Sequence, residues 1–285
     1  MILSLIKRNV KLYFRDKMSV FFSMLGVFII ILLFVLFLGD MMLGSVPSGL
    51  ENSGVNTRFL MDSWIMAGVV TVATITTTLG AYGTIVNDYS TGVINDFKVS
   101  PIKRTGLVLS YVISSCVVGF IMSICSLIFA EIYILLSGGE LISIFGLVKV
   151  LGIIMLSVLM SSSVIFLIIS FVKSNNAFGA VSTVFGSIIG FLMGVYVPIG
   201  NLPSGVQTVI RFFPFAHPAV LLRQVMMSEA MDLSNMPREF LEFTGVNFVY
   251  SNTIFPVFGH ILLILGVTIV FFGLGVIVTS RKRKD

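Results

Sequence analysis

Few residues in this chain could do chemistry. Its 285 residues include 13 Asp and Glu, two His and two Cys. Neither His217 nor His260 is followed by Glu, so the HExxH zinc motif is absent. With Pro218 beside one and the last apolar run beginning near the other, structural roles are expected of both histidines. Cys116 and Cys125 stand nine residues apart in one apolar segment and point to opposite faces of a helix at about 100° per residue. That placement suits neither a disulfide nor a metal pair. No Gly-Lys dipeptide occurs, so no P-loop can cradle phosphate. There is no GxSxG elbow for a nucleophile, and no paired carboxylates sit within an apolar run to relay protons. No catalytic residue and no metal site is expected. A chain that moved something uphill would need energy from another chain.

A short polar stretch, Thr84–Gly106, lies between two long apolar segments. Its first half can form an amphipathic helix, with Tyr89, Val93, Ile94 and Phe97 at helical spacing. Pro101 should stop that helix, because proline lacks an N–H and disfavours the helical conformation in the residue before it. Lys98, Lys103 and Arg104 mark the stretch as cytoplasmic. An apolar helix face held at a membrane surface should be covered, and a partner subunit is the expected cover.

The elements that carry these residues are membrane spans. Hydrophobic residues make up 56% of the chain, charged residues only 11%, and mean hydropathy is +1.06. A soluble domain has about a quarter charged residues, so the composition points to an all-α polytopic membrane protein. Six apolar runs reach the ~20 residues a ~30 Å hydrocarbon core demands: Met18–Leu38, Trp64–Val86, Leu107–Leu136, Leu147–Phe171, Phe178–Val197 and Pro256–Thr279. Their connections alternate in charge. The N-terminus, the Thr84–Gly106 stretch, the Lys173 turn and Arg281–Lys284 are basic. Asp40, Glu51, Asp62, Glu140, Glu229, Asp232, Glu239 and Glu242 fall in the others. Both termini are therefore expected in the cytoplasm. The net charge of +5 sits at span ends, without a basic patch interleaved with aromatics, which argues against a nucleic-acid partner.

Residues 1–17 pattern as an amphipathic helix lying in the membrane interface. Ile2, Ile6, Val10 and Phe14 repeat on one side, and Lys7, Arg8, Lys11 and Arg15 cluster on the other to meet lipid headgroups. A long apolar run without a cleavage site follows, so this segment is expected to be retained. The third span, at about thirty residues, calls for tilt or a helical extension beyond the bilayer. Glu131 near its outer end has two readings, a gate in a translocation path or an interfacial carboxylate reaching the headgroups, and the nearby Tyr133 and Gly138-Gly139 favour the second. Gly186, Gly190 and Gly194 form a ladder that permits close helix approach, within the chain or between subunits. The hydroxyls of Thr71, Thr74 and Thr78, like those of Ser157 and Ser161–Ser163, either bond neighbouring helices or line a pathway. Between spans five and six, residues 198–230 hold two apolar helices too short to span, interrupted by prolines, and these read as a re-entrant pair.

Taken together and in order, these segments resemble the ABC-2 type (type V exporter) permeases of ATP-binding cassette transporters. The resemblance covers essentially one domain, 1–285. Phe14-Arg15-Asp16-Lys17 leads an elbow helix (1–17) into the first span. Asn87–Pro101 matches the coupling helix (87–101), keeping one acid and Gly92 of the usual Glu-x-Glu-x-Gly-Thr pattern. Pro198–Pro203, Pro214–Pro218 and Arg223 match the proline-rich region after span five. The resemblance implies coupling roles for Asp88, Gly92, Asp96, Phe97, Ser100 and Pro101. It implies a cytoplasmic ATPase subunit carrying ATP and Mg, with no cofactor bound by this chain, and a second permease copy, identical or different. It implies export of an amphiphilic or hydrophobic molecule from a prokaryotic cell. A stand-alone ion-coupled carrier or channel is the alternative; it would need intramembrane ionisable residues or an inverted repeat.

Overall fold

The computed structural model describes residues 2–39, 56–100, 102, 104–250 and 253–281. Asp40, Glu51, Pro101, Lys103 and Lys282–Lys284 lie outside the described residues, as do the side chains of Lys98, Arg104 and Arg281.

Caps set several helix starts. The Asp16 carboxylate accepts the Ser19 N–H and opens α2 (Lys17–Leu33), which continues as a π-turn through Leu38. Asn56 opens α3 (Thr57–Ser90) by accepting from Phe59 N–H, Ser143 opens α6 (Ile144–Ile169), and Ser174 opens α7 (Asn175–Leu192). Before these caps lies α1 (Ile2–Arg15). Between them run α4 (Val93–Val99) and α5 (Arg104–Leu136). After α7 come a 3₁₀ turn, α8 (Ser204–Phe212), α9 (Ala216–Ser228), a second 3₁₀ turn and α10 (Arg238–Phe243). A two-residue hairpin, β1 (Val249–Tyr250) with β2 (Thr253–Ile254), pairs Val249 with Ile254 and leads into α11 (Val257–Arg281). Six of these helices, α2, α3, α5, α6, α7 and α11, are long and apolar enough to cross a membrane. The chain is an all-α polytopic membrane protein. At ~1.5 Å per residue, α3 and α5 are each about 50 Å long, more than a hydrocarbon core needs. The six crossings put α1, α4 and the start of α7 at one end of the bundle (the elbow end) and α8 to α10 at the far end.

The bundle is built around α3. Its apolar window is 94% buried, whereas those of α7 and α11 are 11% buried. Buried hydroxyls fasten α3 to α6: Thr74 Oγ1 lies 2.6 Å from Ser157 Oγ, and the Tyr82 hydroxyl donates to the Ser162 carbonyl at 3.0 Å. Between α3 and α5 the approach depends on Gly119, where an added Cβ would collide with the Thr78 side chain and press on Val158. Gly119→Val is therefore expected to lower the thermal unfolding midpoint in detergent, with a loss of about 2–3 kcal/mol from overpacking. An unchanged midpoint would show that α5 can shift away from α3.

Two expectations are corrected. First, no continuous helix crosses Tyr89 to Phe97. Span two runs on to Ser90, the chain breaks at Thr91 and Gly92, and α4 is a separate seven-residue helix. Gly92 has φ +81°, a conformation that side chains disfavour. α4 ends at Val99, and Ser100 is extended (ψ 153°), as a residue before proline should be. Second, span five ends at Leu192 rather than Val197, because Gly194 turns the chain with φ +62°. Separately, α1 packs Leu5, Asn9 and Tyr13 against the bundle and leaves Ile2 and Phe14 exposed.

Candidate functional site

The most connected polar cluster at the elbow end gathers residues from four helices. Asp88, in the last turn of α3, is buried. Its carboxylate accepts two hydrogen bonds from the Arg8 guanidinium of α1, at 2.7 and 3.0 Å, and a third from the Tyr111 hydroxyl of α5. The planar fork of arginine suits this two-pronged contact, which lysine cannot reproduce. The same guanidinium lies 5.2 Å from the ring centroid of Phe97, in α4. Hydrogen bonding to Asp88 raises the pKa of Arg8 above its ordinary value. A displacement of α4 is thus felt directly by α1, α3 and α5 through one ion pair.

These contacts redistribute the residues expected in coupling. Asp88 and Phe97 face inward, and Ile94 is also buried against the chain's own bundle, so the apolar face of α4 is covered internally. Asp96 is exposed, Val99 is 88% exposed, and Gly92 is the hinge before them. Of the expected interfacial cations, Arg8 turns inward, while Lys7, Lys11 and Arg15 remain exposed.

Next to this cluster the bundle holds a cavity of about 730 Å³, bounded by α1, α2, α3 and α7. Its α2 wall runs from Asp16 to Ile30, and its α3 wall carries Thr76, Gly80, Gly83, Thr84 and Asn87. Asn175, Phe178, Ser182 and Gly186 line it from α7, and Tyr196 contributes from beyond that helix. Such a volume suits a drug-sized molecule. Thr71, Thr74 and Thr78 are not among the lining residues. They occupy other faces of α3, fully buried, with hydroxyls bonded to Ala67, Thr71 and Thr74 carbonyls and to Ser157. The glycine ladder divides into three roles. Gly186 faces open cavity, Gly190 makes room for the Tyr196 ring, and Gly194 terminates the helix.

A sequence profile described as "ABC-2 family transporter protein" matches residues 51–277, which takes in five of the six spans. The chain belongs to the ABC-2 transporter family. No curated protein matches it significantly. Membership makes it a transmembrane transporter subunit, and the family implies association with an ABC ATPase subunit.

At the far end of this ABC-2 permease sits a second buried ion. Arg223 of α9 is 1% exposed and has no carboxylate against it among the described ion pairs. Its guanidinium donates to the carbonyls of Met193 (3.0 Å), Gly194 (2.8 Å) and Gly245 (3.4 Å), and stacks over Trp64 at 4.8 Å. Two of those carbonyls lie at the C-terminal end of α7, where a cation is favoured. The Trp64 indole donates in turn to the Thr244 carbonyl at 2.8 Å. His217 and His260, fully buried, place their Nδ1 atoms 2.7 Å apart, one N–H donating to the other's bare nitrogen, among the rings of Phe248 and Phe255. The pair ties α9 to the start of α11. Glu131 accepts the Ile142 N–H at 3.0 Å and borders a space of about 10 Å³, room for one water, remote from the large cavity. Its contact is a loop tether at the far end. The spacing of Arg8 from Asp88 and of His217 from His260 carried no signal in the sequence; only the folded contacts pair them.

Proposed function

We propose that this ABC-2 permease exports an amphiphilic or hydrophobic molecule, such as a drug, antibiotic, peptide or lipid-linked compound, using ATP and Mg held by a separate cytoplasmic ATPase subunit. The observation that carries the reading is the Arg8–Asp88 pair. It joins α4, the short helix protruding at the elbow end, to the three helices α1, α3 and α5, and α1 and α3 also wall the cavity. A push on α4 therefore reaches the cavity without a flexible link. The exposed Asp96 and Val99, followed by Ser100 and Pro101, form the docking surface for the ATPase. The basic N-terminus supports placing the elbow end, and both termini, in the cytoplasm of a prokaryotic cell, with the chain in the plasma membrane. The cavity is bounded by α2 and α7, two thinly covered spans, which supports a second permease copy packing across it, in a homodimer or heterodimer. The segment 198–230 is re-entrant from the outer side in this reading.

Purification of the tagged chain in mild detergent tests this. An ATPase subunit is expected to accompany it, with vanadate-sensitive ATP hydrolysis. Substrate transport by the permease alone in liposomes would instead favour an ion-coupled carrier. Within the same assay, Gly92→Pro is expected to abolish transport and ATPase binding while the spans stay folded, because proline fixes φ near −65° where the hinge needs +81°. Retained transport by that variant would remove α4 from the coupling route.

A further inference from the structure

The cavity has a direction and a sign. Its α3 wall extends from Val72 to Asp88, about 24 Å at the helical rise. At the elbow end Asp16, Ser19, Asn87 and Asn175 give the lining its polar groups, beside Leu12, Tyr13 and Phe178. Toward the bundle centre it becomes apolar and aromatic, with Ile30, Val72 and Tyr196. A ligand with one polar end and one apolar end fits this gradient in a single orientation.

The charge of the lining is one-sided. Asp16 and Asp88 border the cavity, and no Lys, Arg or His does so among the described residues. Asp88 is already neutralised by Arg8. Asp16 is exposed at the cavity's edge and accepts from the Ser19 backbone N–H at 3.1 Å and hydroxyl at 2.6 Å and from the Met18 backbone N–H, and no ion pair among the described residues involves it. Its neighbours Arg15 and Lys17 do not line the cavity. Four aromatic rings, of Tyr13, Phe22, Phe178 and Tyr196, complete the wall, and ring faces attract organic cations as well as apolar groups.

From this geometry we propose that the cavity selects amphiphiles with a cationic head, the head beside Asp16 and the apolar body directed toward Ile30 and Tyr196. The proposal rests on reading the cavity as the substrate path, and it adds the charge of the substrate.

Tetraphenylphosphonium and tetraphenylborate, alike in shape and opposite in charge, are the probes. Their binding to the purified permease, with whatever subunit accompanies it, is measured by equilibrium dialysis in uncharged detergent at low salt, against empty micelles. Asp16→Asn removes the charge and keeps the helix cap, since Asn and Asp cap equally well. It is expected to weaken phosphonium binding about threefold, the loss of one attraction to an exposed charge, and to leave borate binding equal or tighter. Gly186→Phe places a ring where nothing lies within 4 Å of an added Cβ, and is expected to abolish phosphonium binding. Equal effects of Asp16→Asn on both ions, or none on either, would overturn the charge selectivity. If both ions then still depended on Gly186, the cavity would stand as a binding site without charge preference. Phosphonium binding unaffected by Gly186→Phe would overturn the assignment to this cavity. Failure of an ATPase to co-purify bears on the export mechanism and leaves the dialysis result intact.

Discussion

Arg8→Ala is expected to leave a permease that still assembles with its ATPase and still hydrolyses ATP, but transports at a tenth of the normal rate or less. The substitution strips a buried carboxylate of two of its three hydrogen bonds. Leaving one partner of such a pair unmatched costs about 3 kcal/mol, the lower end of the range because Arg8 is partly exposed. The proposed docking surface on α4 is left unaltered, since its residues Val99 and Asp96 are exposed. What is lost is the stiffness of the joint. Asp88→Ala should behave alike, and the double variant should be little worse than either single one, with a coupling energy of about 1–3 kcal/mol between the positions. Arg8→Lys keeps the charge but not the fork, so it should retain only part of the transport. The ratio of substrate moved to ATP hydrolysed checks all four. Additive losses from the two single substitutions would mean that Arg8 and Asp88 act separately.

The second large effect is expected at the opposite end. Arg223→Met should destabilise the fold by about 3–5 kcal/mol, because a buried side chain that caps three carbonyls gives way to one that donates nothing. The residues that lose their partner belong to the turn after α7 and to the loop after α10, so α8 to α10 should detach from Trp64 before the spans separate. Limited proteolysis from the far side, together with thermal unfolding in detergent, reads this out. Arg223→Lys should fall between, since a compact ammonium cannot satisfy the same set of carbonyls from one position. Wild-type protease resistance in Arg223→Met would show that aromatic and aliphatic packing around α9 holds the far end unaided.

Much of this architecture could be read from the chain, and the misses have physical reasons. Six spans were visible because a lipid core demands long apolar runs, and each corresponds to an observed helix with ends shifted by a few residues. The end of α4 before Pro101 followed from proline sterics. The break at Gly92 was misread: apolar spacing from Tyr89 to Phe97 continues across it, and periodicity does not register one residue in a left-handed conformation. Which residues of α1 pack on the bundle was not legible in the sequence. Ile2, Ile6, Val10 and Phe14 mark an apolar side, but that Arg8 meets Asp88 across 80 residues is visible only in the fold. For Thr71, Thr74 and Thr78 bonding was the first expectation and a pathway role the lesser one. The packing of α6 and α5 on α3 decided for bonding, while Thr76, Gly80 and Gly83 on another face were left to the cavity. The histidine pair was invisible for the same reason as Arg8 and Asp88: its members lie on different helices and meet only through the fold.

The central claim is that energy enters through α4 at the elbow end, and a photo-crosslinking amino acid at Val99 tests it most directly. Val99 is 88% exposed on α4, whereas Ile94, five residues earlier, is buried and serves as the control. In inside-out membrane vesicles, irradiation should join position 99 to a subunit that binds and hydrolyses ATP, and position 94 should give no such product. A crosslink at 94 equal to that at 99, or an ATPase that assembles fully yet is never captured from position 99, would contradict the account.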